Sequence, residues 1–225
     1  MPTFMTASQL YNALLQSGII NSQGNVTFTL NNISILIETK DSIGHMIQDW
    51  LKAWANSNNI YLEANHLTQE FPDFYLTQNH TDNFLEVKSF DSNAGPNFDV
   101  SNFDTYVRSL LVNPKKVDAD YLIFGYTLIN GVLTITGVWL KKIWELCTSS
   151  ADWALRLQVK QGVIHNIRPV NFTSTRTTFG AFQNRLQFLT AIQDVLNTYR
   201  NTQTTHQNWL IDFSIAYRTA TGVNP

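Results

Sequence analysis

The 225-residue chain is 44% hydrophobic, with 14 Phe, 8 Tyr and 6 Trp, enough apolar side chains for one compact domain or for a catalytic core with a small accessory region. Only 14% of its residues are charged and the formal net charge is −2, which excludes a uniformly basic nucleic-acid coat. A single cysteine, Cys147, excludes an intrachain disulfide, and no apolar run reaches the roughly 18 residues of a membrane span, so a soluble, cytoplasmic protein with no membrane partner is expected.

In chain order, residues 7–15 predict a short helix ending near Gly18. Residues 26–30 and 33–37 alternate in part, which fits a hairpin about Asn31 and Asn32 and equally one short strand entering a helix. Asp41 or Ser42 then caps a helix running to about Ala55. Its positions Ile43, Met46, Ile47, Trp50, Leu51 and Trp54 form the i, i+3, i+4 stripe of a helix packed on a core. The polar run 56–59 ends it.

Residues 74–76 and 84–87 are rich in aromatic and β-branched side chains and predict two strands. The polar run 78–83 between them reads as a turn, which makes the strands antiparallel neighbours. A polar loop, 91–97, follows. Ser101 or Asn102 starts a helix through Tyr106, Leu110 and Leu111 that stops before Pro114. Two strands are predicted at 121–126 and 132–139 around Asn130 and Gly131, and segment 144–157 fits helix and strand alike. Residues 163–170 read as a strand before the loop 171–178. A last helix over 182–199 carries the stripe Phe182, Leu186, Leu189, Ile192 and Leu196. This order, without repeats or low-complexity linkers, predicts one α/β domain over 1–225, a central mixed β-sheet flanked by helices.

Two short segments, one opening at Pro72 and one at Phe84, carry the chemistry. Side chains along a strand alternate between its faces. Glu86 and Lys88 therefore share one face, while Leu85 and Val87 point to the other. Antiparallel pairing brings Asp73, at the start of the neighbouring strand, to Glu86. Two hard carboxylates with waters and a phosphate oxygen suit octahedral Mg²⁺. A phosphodiester resists attack by hydroxide, so its hydrolysis needs charge neutralisation and a nucleophile made near neutral pH. Lys88 can orient that water, hold charge against the developing oxyanion, or accept its proton. The plainer alternatives are a turn role for Asp73 after proline and an edge-guarding role for Lys88.

The pattern Pro72-Asp73 followed by Glu86-Val87-Lys88 resembles the PD-(D/E)xK nuclease superfamily. From the helix at 42–55 through the two strands to Pro96, Asn97 and Phe98, the chain is similar to a type II restriction endonuclease core. The resemblance covers about 42–140 and fades over the last eighty residues. It implies a restriction-endonuclease-like catalytic core over about 33–140. Elements for DNA recognition and dimerisation would then fall mainly in 91–103 and 141–225. It further implies catalytic Asp73, Glu86 and Lys88, a Mg²⁺ ion on Asp73 and Glu86, and a homodimer cutting both strands of double-stranded DNA at a short, often palindromic site. A cognate DNA methyltransferase would be the genetic partner. The superfamily often adds an acidic or amide side chain from the preceding helix, for which Gln48 and Glu38 are the candidates, with Glu70 a further acidic neighbour.

Charge is unevenly spread. Residues 1–107 hold 3 Lys/Arg against 11 Asp/Glu, whereas 108–225 hold 12 against 6. A metal-centred site in the acidic part with phosphate contacts from the basic part gives such a split, as do two unrelated solvated surfaces. Arg176, flanked by Ser and Thr, is the leading base reader, since Arg reads guanine with two donors. Asn93 and Asn97 in the loop beyond Lys88 are the other candidates, and Arg108, Lys115, Lys116 and Arg168 suit phosphates. His45, His66, His80, His165 and His206 lack zinc-site spacing and read as structural or surface residues, with DNA contact a minor option for His165 and His206. The competing functions are a structure-specific repair nuclease of the same fold and a non-enzymatic DNA-binding module.

Overall fold

In the computed structural model, residues 1–66, 70–199, 202, 204 and 207–225 are described; His206 lies outside them. They group into two compact units, unit 1 of Met1–Pro96 with Asp120–Leu140 and unit 2 of Asn97–Ala119 with Lys141–Pro225. The expected 33–140 core coincides with unit 1 over 33–96 and 120–140; residues 97–119 group with unit 2.

Unit 1 opens with α1 (Ala7–Gln16), started by a capping box in which Thr6 and Gln9 satisfy each other's backbone N–H groups. Next come β1 (Gln23–Asn25) and the hairpin of β2 (Thr27–Leu30) and β3 (Ile33–Leu36). Asn31 and Asn32 both have positive φ, 47° and 62°, the two-residue turn that matches strand twist. This settles the 26–37 segment as a hairpin. Helix α2 (Ile43–Ser57) buries Ile43, Ile47, Leu51 and Ala55. Met46 and Trp50 of the predicted stripe stay more than a third exposed. Short strands β4 (Glu63–Ala64) and β5 (Phe74–Tyr75) lead to β6 (Phe84–Asp91).

The remaining strands of this unit are β8 (Asp120–Ile129) and β9 (Val132–Lys142), joined through Asn130 and Gly131, again both at positive φ; β9 runs its last two residues into unit 2. The sheet order is β1-β9-β8-β6-β5-β4. Strands β5 and β6 are antiparallel as expected, with Phe74 opposite Leu85. Strand β6 runs parallel to β8, with Glu86 opposite Tyr121, so the sheet is mixed. Leu85 and Val87 of β6 and Leu122 and Phe124 of β8 join Leu10, Leu14, Ile43, Ile47 and Leu51 of the two helices in one core. That core fixes which face of β6 remains for chemistry.

Unit 2 contains β7 (Ser101–Asn102), α3 (Phe103–Val112) and the 3₁₀ turn Pro114–Asp118, then α4 (Ile143–Leu146), β10 (Leu157–Lys160), β11 (Val163–Ile167), α5 (Arg185–Thr198) and α6 (Trp209–Thr221). The three strands form an antiparallel sheet, β10-β11-β7. Asn102 caps α3 by accepting from the Thr105 N–H at 3.0 Å, as its position before the apolar run predicts. Two expectations shift. Helix α5 starts at Arg185 after the Asn184 cap, so Phe182 lies outside it and Leu186 is exposed, while Phe188 and Val195 are buried. Segment 144–157 is one helical turn followed by irregular chain up to β10. Helix α6 was not foreseen; it packs Trp209, Phe213 and Tyr217 into the unit. Among the described residues no helix is long and apolar enough to cross a membrane.

Candidate active site

The β5–β6 ladder is only two residue pairs long, Phe74 with Leu85 and Tyr75 with Phe84. One step beyond it, where Pro72 precedes Asp73, backbone pairing gives way to side chains. The Asp73 Oδ2 accepts the Val87 N–H at 2.8 Å, and the Asp73 N–H donates to Glu86 Oε2 at 3.2 Å. Each strand thus holds the other's carboxylate, and backbone donors that would otherwise be orphaned are satisfied. Glu86 is almost fully buried, and Lys88 Nζ lies 2.9 Å from Glu86 Oε1. Strand β6 sits between β5 and β8. At Lys88 the paired neighbour is Ile123 of β8, since the β5 ladder ends at Leu85.

Burial, and then the charge of Glu86, pushes the Asp73 carboxyl up to about 7, against the opposing pull of Lys88, the Val87 N–H and His45. Lys88 thus pairs with Glu86 at contact distance while its charge also acts on Asp73. The donor set fits a hard divalent cation: oxygen ligands on neighbouring strands, and a buried carboxyl that gives up its proton readily only when positive charge is supplied. Among the described residues no group of three or more His, Cys, Asp or Glu side chains forms a metal cage.

The supporting candidates are dispersed. Gln48 is half-buried on α2; Glu38 is exposed on the segment between β3 and α2; Glu70 is exposed, three residues before Asp73. The helix side chain whose charge reaches Asp73 is His45, in the first turn of α2. Lacking zinc spacing, His45 gave no signal in the sequence beyond lying one helical turn before Gln48. His80 and His66 gather instead on Glu63, with His80 Nε2 2.9 Å from Glu63 Oε2, while His80 stacks on Tyr75.

Of the proposed DNA contacts, Asn93 lies in unit 1, exposed beyond β6, with its N–H donating to Asp91 Oδ1 at 3.1 Å. The others belong to unit 2. Arg176 is exposed and, with Arg156, Thr148, Asn171 and Phe179, lines a concavity of about 280 Å³. The Arg168 guanidinium is engaged by the Asp99 carboxylate and the Asn97 carbonyl, so it clasps the 97–99 segment to the end of β11. Arg108 is exposed, its Nε donating to the Asp104 carbonyl at 3.2 Å, and Lys115 and Lys116 are half-buried on the 3₁₀ turn. His165 is half-buried in β11, where its carbonyl accepts from Asn102.

The model of the NgoBV restriction endonuclease family matches residues 4–224, almost the whole chain. The chain belongs to the NgoBV restriction endonuclease family. It is 37% identical over 220 residues to the type II restriction enzyme NlaIV of Neisseria lactamica, spanning 95% of this chain and 90% of that protein. To the type II restriction enzyme NgoBV of Neisseria gonorrhoeae it is 34% identical over 160 residues, 70% of this chain and 91% of that protein. A solved structure of the NlaIV restriction endonuclease superposes with a TM-score of 0.93 at 34% identity, covering 100% of this chain and 93% of that one. This NgoBV-family protein is thus a type II restriction endonuclease with the expected α/β fold. The family sets aside the repair-nuclease and non-enzymatic alternatives.

Proposed function

We propose that the enzyme hydrolyses both strands of double-stranded DNA at a short palindromic site, as a Mg²⁺-dependent homodimer with Asp73, Glu86 and Lys88 as its catalytic residues. The carrying observation is the Asp73–Glu86 pair, two carboxylates locked together by backbone hydrogen bonds beside a single amine at 2.9 Å. Asp73 and Glu86 would hold the ion. When bound, Mg²⁺ neutralises charge on the scissile phosphate and makes a coordinated water more acidic. Lys88, oriented by Glu86, puts positive charge where the oxyanion develops and fixes the direction of attack. Val87 N–H keeps the Asp73 carboxylate aimed while substrate enters. His45, at the start of α2, adds charge or a hydrogen bond on the Asp73 side.

Arg176, Asn93 and Asn97 are the exposed candidates for reading bases; Arg108, Lys115 and Lys116 are the candidates for phosphates, Arg168 being engaged by Asp99 and the Asn97 carbonyl. A methyltransferase that modifies the same sequence would protect host DNA. Digestion of a fully sequenced plasmid with Mg²⁺, with Ca²⁺ and with chelator tests the whole reading. Mg²⁺ should give discrete double-strand ends mapping to one palindrome, and Ca²⁺ should support binding at that site without scission. Undiminished cutting in chelator would overturn the metal dependence, and ends mapping to an asymmetric sequence would overturn the palindrome.

A further inference from the structure

We propose that the concavity of unit 2 lined by Arg156 and Arg176 takes one backbone phosphate of the bound duplex, with Arg156 as its principal cation. The proposal rests on the DNA-cleaving reading above and deepens it. It adds, beside the candidate base reader Arg176, a phosphate contact that holds the reader in register.

Lining chemistry selects an anion. Of the ten residues around the concavity five are Ser or Thr, two are Arg, and none is Asp or Glu. Elsewhere in unit 2 arginines meet carboxylates, Arg168 on Asp99 and Arg185 on Asp118. Among the described residues Arg156 and Arg176 make no such ion pair, even with the exposed Asp152 of the adjoining turn. Two uncompensated cations about one hollow raise its potential and draw negative charge into it.

Hydrogen-bond donors remain on this wall while acceptors are spent. Arg156 is fixed by its backbone, whose N–H donates to the Thr148 carbonyl at 2.7 Å and whose carbonyl accepts from the Arg168 N–H at 3.0 Å. Its Nη1 donates to the Pro169 carbonyl at 3.0 Å, which leaves the other guanidinium donors for a ligand. Asn171 Oδ1 accepts from the Thr173 hydroxyl at 2.8 Å and N–H at 3.3 Å, so its amide donors remain. Ser150 Oγ is buried without a hydrogen-bond partner among the described residues, a hydroxyl that an oxygen-rich ligand can satisfy. A guanine edge also offers only acceptors, but it lies recessed in a groove where a projecting side chain reaches it. A phosphate projects from the backbone and enters a hollow. The concavity, about 280 Å³, falls below the ~300–1,000 Å³ of clefts that enclose whole small ligands, and so suits one group of a larger molecule.

Fluorescence anisotropy of the full-length protein in Ca²⁺ tests the pocket, on the duplex found by end mapping and on versions carrying single methylphosphonates. For the wild type, neutralising the phosphate that enters should raise Kd about tenfold. Arg156→Ala should weaken the unmodified duplex by a similar factor, and the same methylphosphonate should then change Kd by less than about twofold. Arg156→Ala should also weaken a scrambled duplex alike and lower the slope of log affinity against log salt by about 1, whereas Arg156→Lys should keep the slope. Thr177→Val, at an exposed lining position, should cost about threefold with the same non-additivity, which keeps the test open if Arg156→Ala fails to fold by circular dichroism. Losses that add at every phosphate in both variants would overturn the pocket, while wild-type binding and cutting would leave the DNA reading intact. A wild type that binds no duplex would overturn both. Inorganic phosphate that raised the melting temperature through Arg156, with no coupling to any duplex phosphate, would give the hollow to a free anion and overturn the DNA assignment.

Discussion

The two units differ first in charge: unit 1 carries three Lys/Arg against ten Asp/Glu, unit 2 twelve against seven. They differ also in how polar groups are used. Unit 1 gathers its close-set charged groups where β5 runs out, with a buried carboxylate, a second carboxyl pushed up to about 7 and a lysine held beside Glu86. Unit 2 spends several of its cations internally: Arg168 on Asp99, Arg185 on Asp118, and Lys142 on the Asp118 carbonyl at 2.6 Å. Its interior is aromatic, with Phe103, Tyr106, Phe188, Trp209 and Phe213 fully buried. The difference teaches that a count of basic residues overstates the surface left for DNA, and that cutting and the remaining basic surface can be tested by separate substitutions.

The strongest way to break this division is at the carboxylate pair. Asp73→Asn and Lys88→Ala should each lower plasmid cleavage by at least ~10³-fold, about 4 kcal/mol of transition-state stabilisation, with binding to the cognate site in Ca²⁺ retained. A double-strand cleavage rate within tenfold of wild type in either variant would remove unit 1 as the seat of the reaction. Next in size is the scaffold of unit 2. Trp209 is fully buried, donates its indole N–H to the Val107 carbonyl at 3.1 Å and stacks on Phe213. Trp209→Ala should cost roughly 3–5 kcal/mol in urea unfolding, because it opens a large cavity and removes the indole hydrogen bond. A loss below about 1 kcal/mol would mean the site collapses freely.

The same contrast explains what could be read from the amino-acid order. Unit 1 is built of periodic elements: the α2 stripe and the strands at 74–76 and 84–87 announce themselves locally, whereas 26–37 fits a hairpin and a strand entering a helix alike, and strand alternation puts Glu86 and Lys88 on one face. What escaped were features set by distant partners. Met46 and Trp50 belong to a good helical stripe, yet the width of the core, not periodicity, left them over a third exposed. Helix α6 was missed because Trp209, Phe213 and Tyr217 recur at i, i+4 and i+8 over only thirteen residues, without a side-chain cap at Asn208. Strands β4 and β7 are two residues each, too short for any period. His45 acts on Asp73 through charge alone, from a helix whose Gly44 lies close to Ser89 of β6.

A smaller effect sharpens the electrostatics of unit 1. A carboxyl whose folded pKa lies near 7, against the ordinary 3.8 of an aspartate, binds its proton more tightly folded than unfolded. Its contribution to stability is therefore complete below the unfolded pKa and is lost as pH rises through the folded one. In the absence of divalent ions, wild-type stability should fall between about pH 4 and pH 7, and Asp73→Asn, which cannot ionise, should be more stable than wild type at pH 8 by on the order of 2 kcal/mol. Adding Mg²⁺ should narrow that gap by stabilising the wild type alone. Parallel pH–stability curves for the two proteins would show that Asp73 titrates normally.

The least disruptive substitutions address unit 2. Lys115 and Lys116 sit half-buried on the 3₁₀ turn, where Asn113 caps the backbone at Lys115 and fixes the local chain. If either contacts phosphate, its alanine variant should weaken binding to all duplexes alike and reduce the slope of log affinity against log salt by about 1. Arg176 is exposed and lines the Thr148–Phe179 concavity, its backbone N–H donating to Ser174 Oγ at 3.1 Å. As a base reader, its loss should cost about 1–3 kcal/mol on the cognate site and little on nonspecific DNA, with the salt slope nearly unchanged. Binding isotherms on cognate and scrambled duplexes at several salt concentrations separate the two kinds of contact. A uniform loss with Arg176→Ala would move it to the phosphate group, and base reading would then fall to residues such as Asn93 beyond β6.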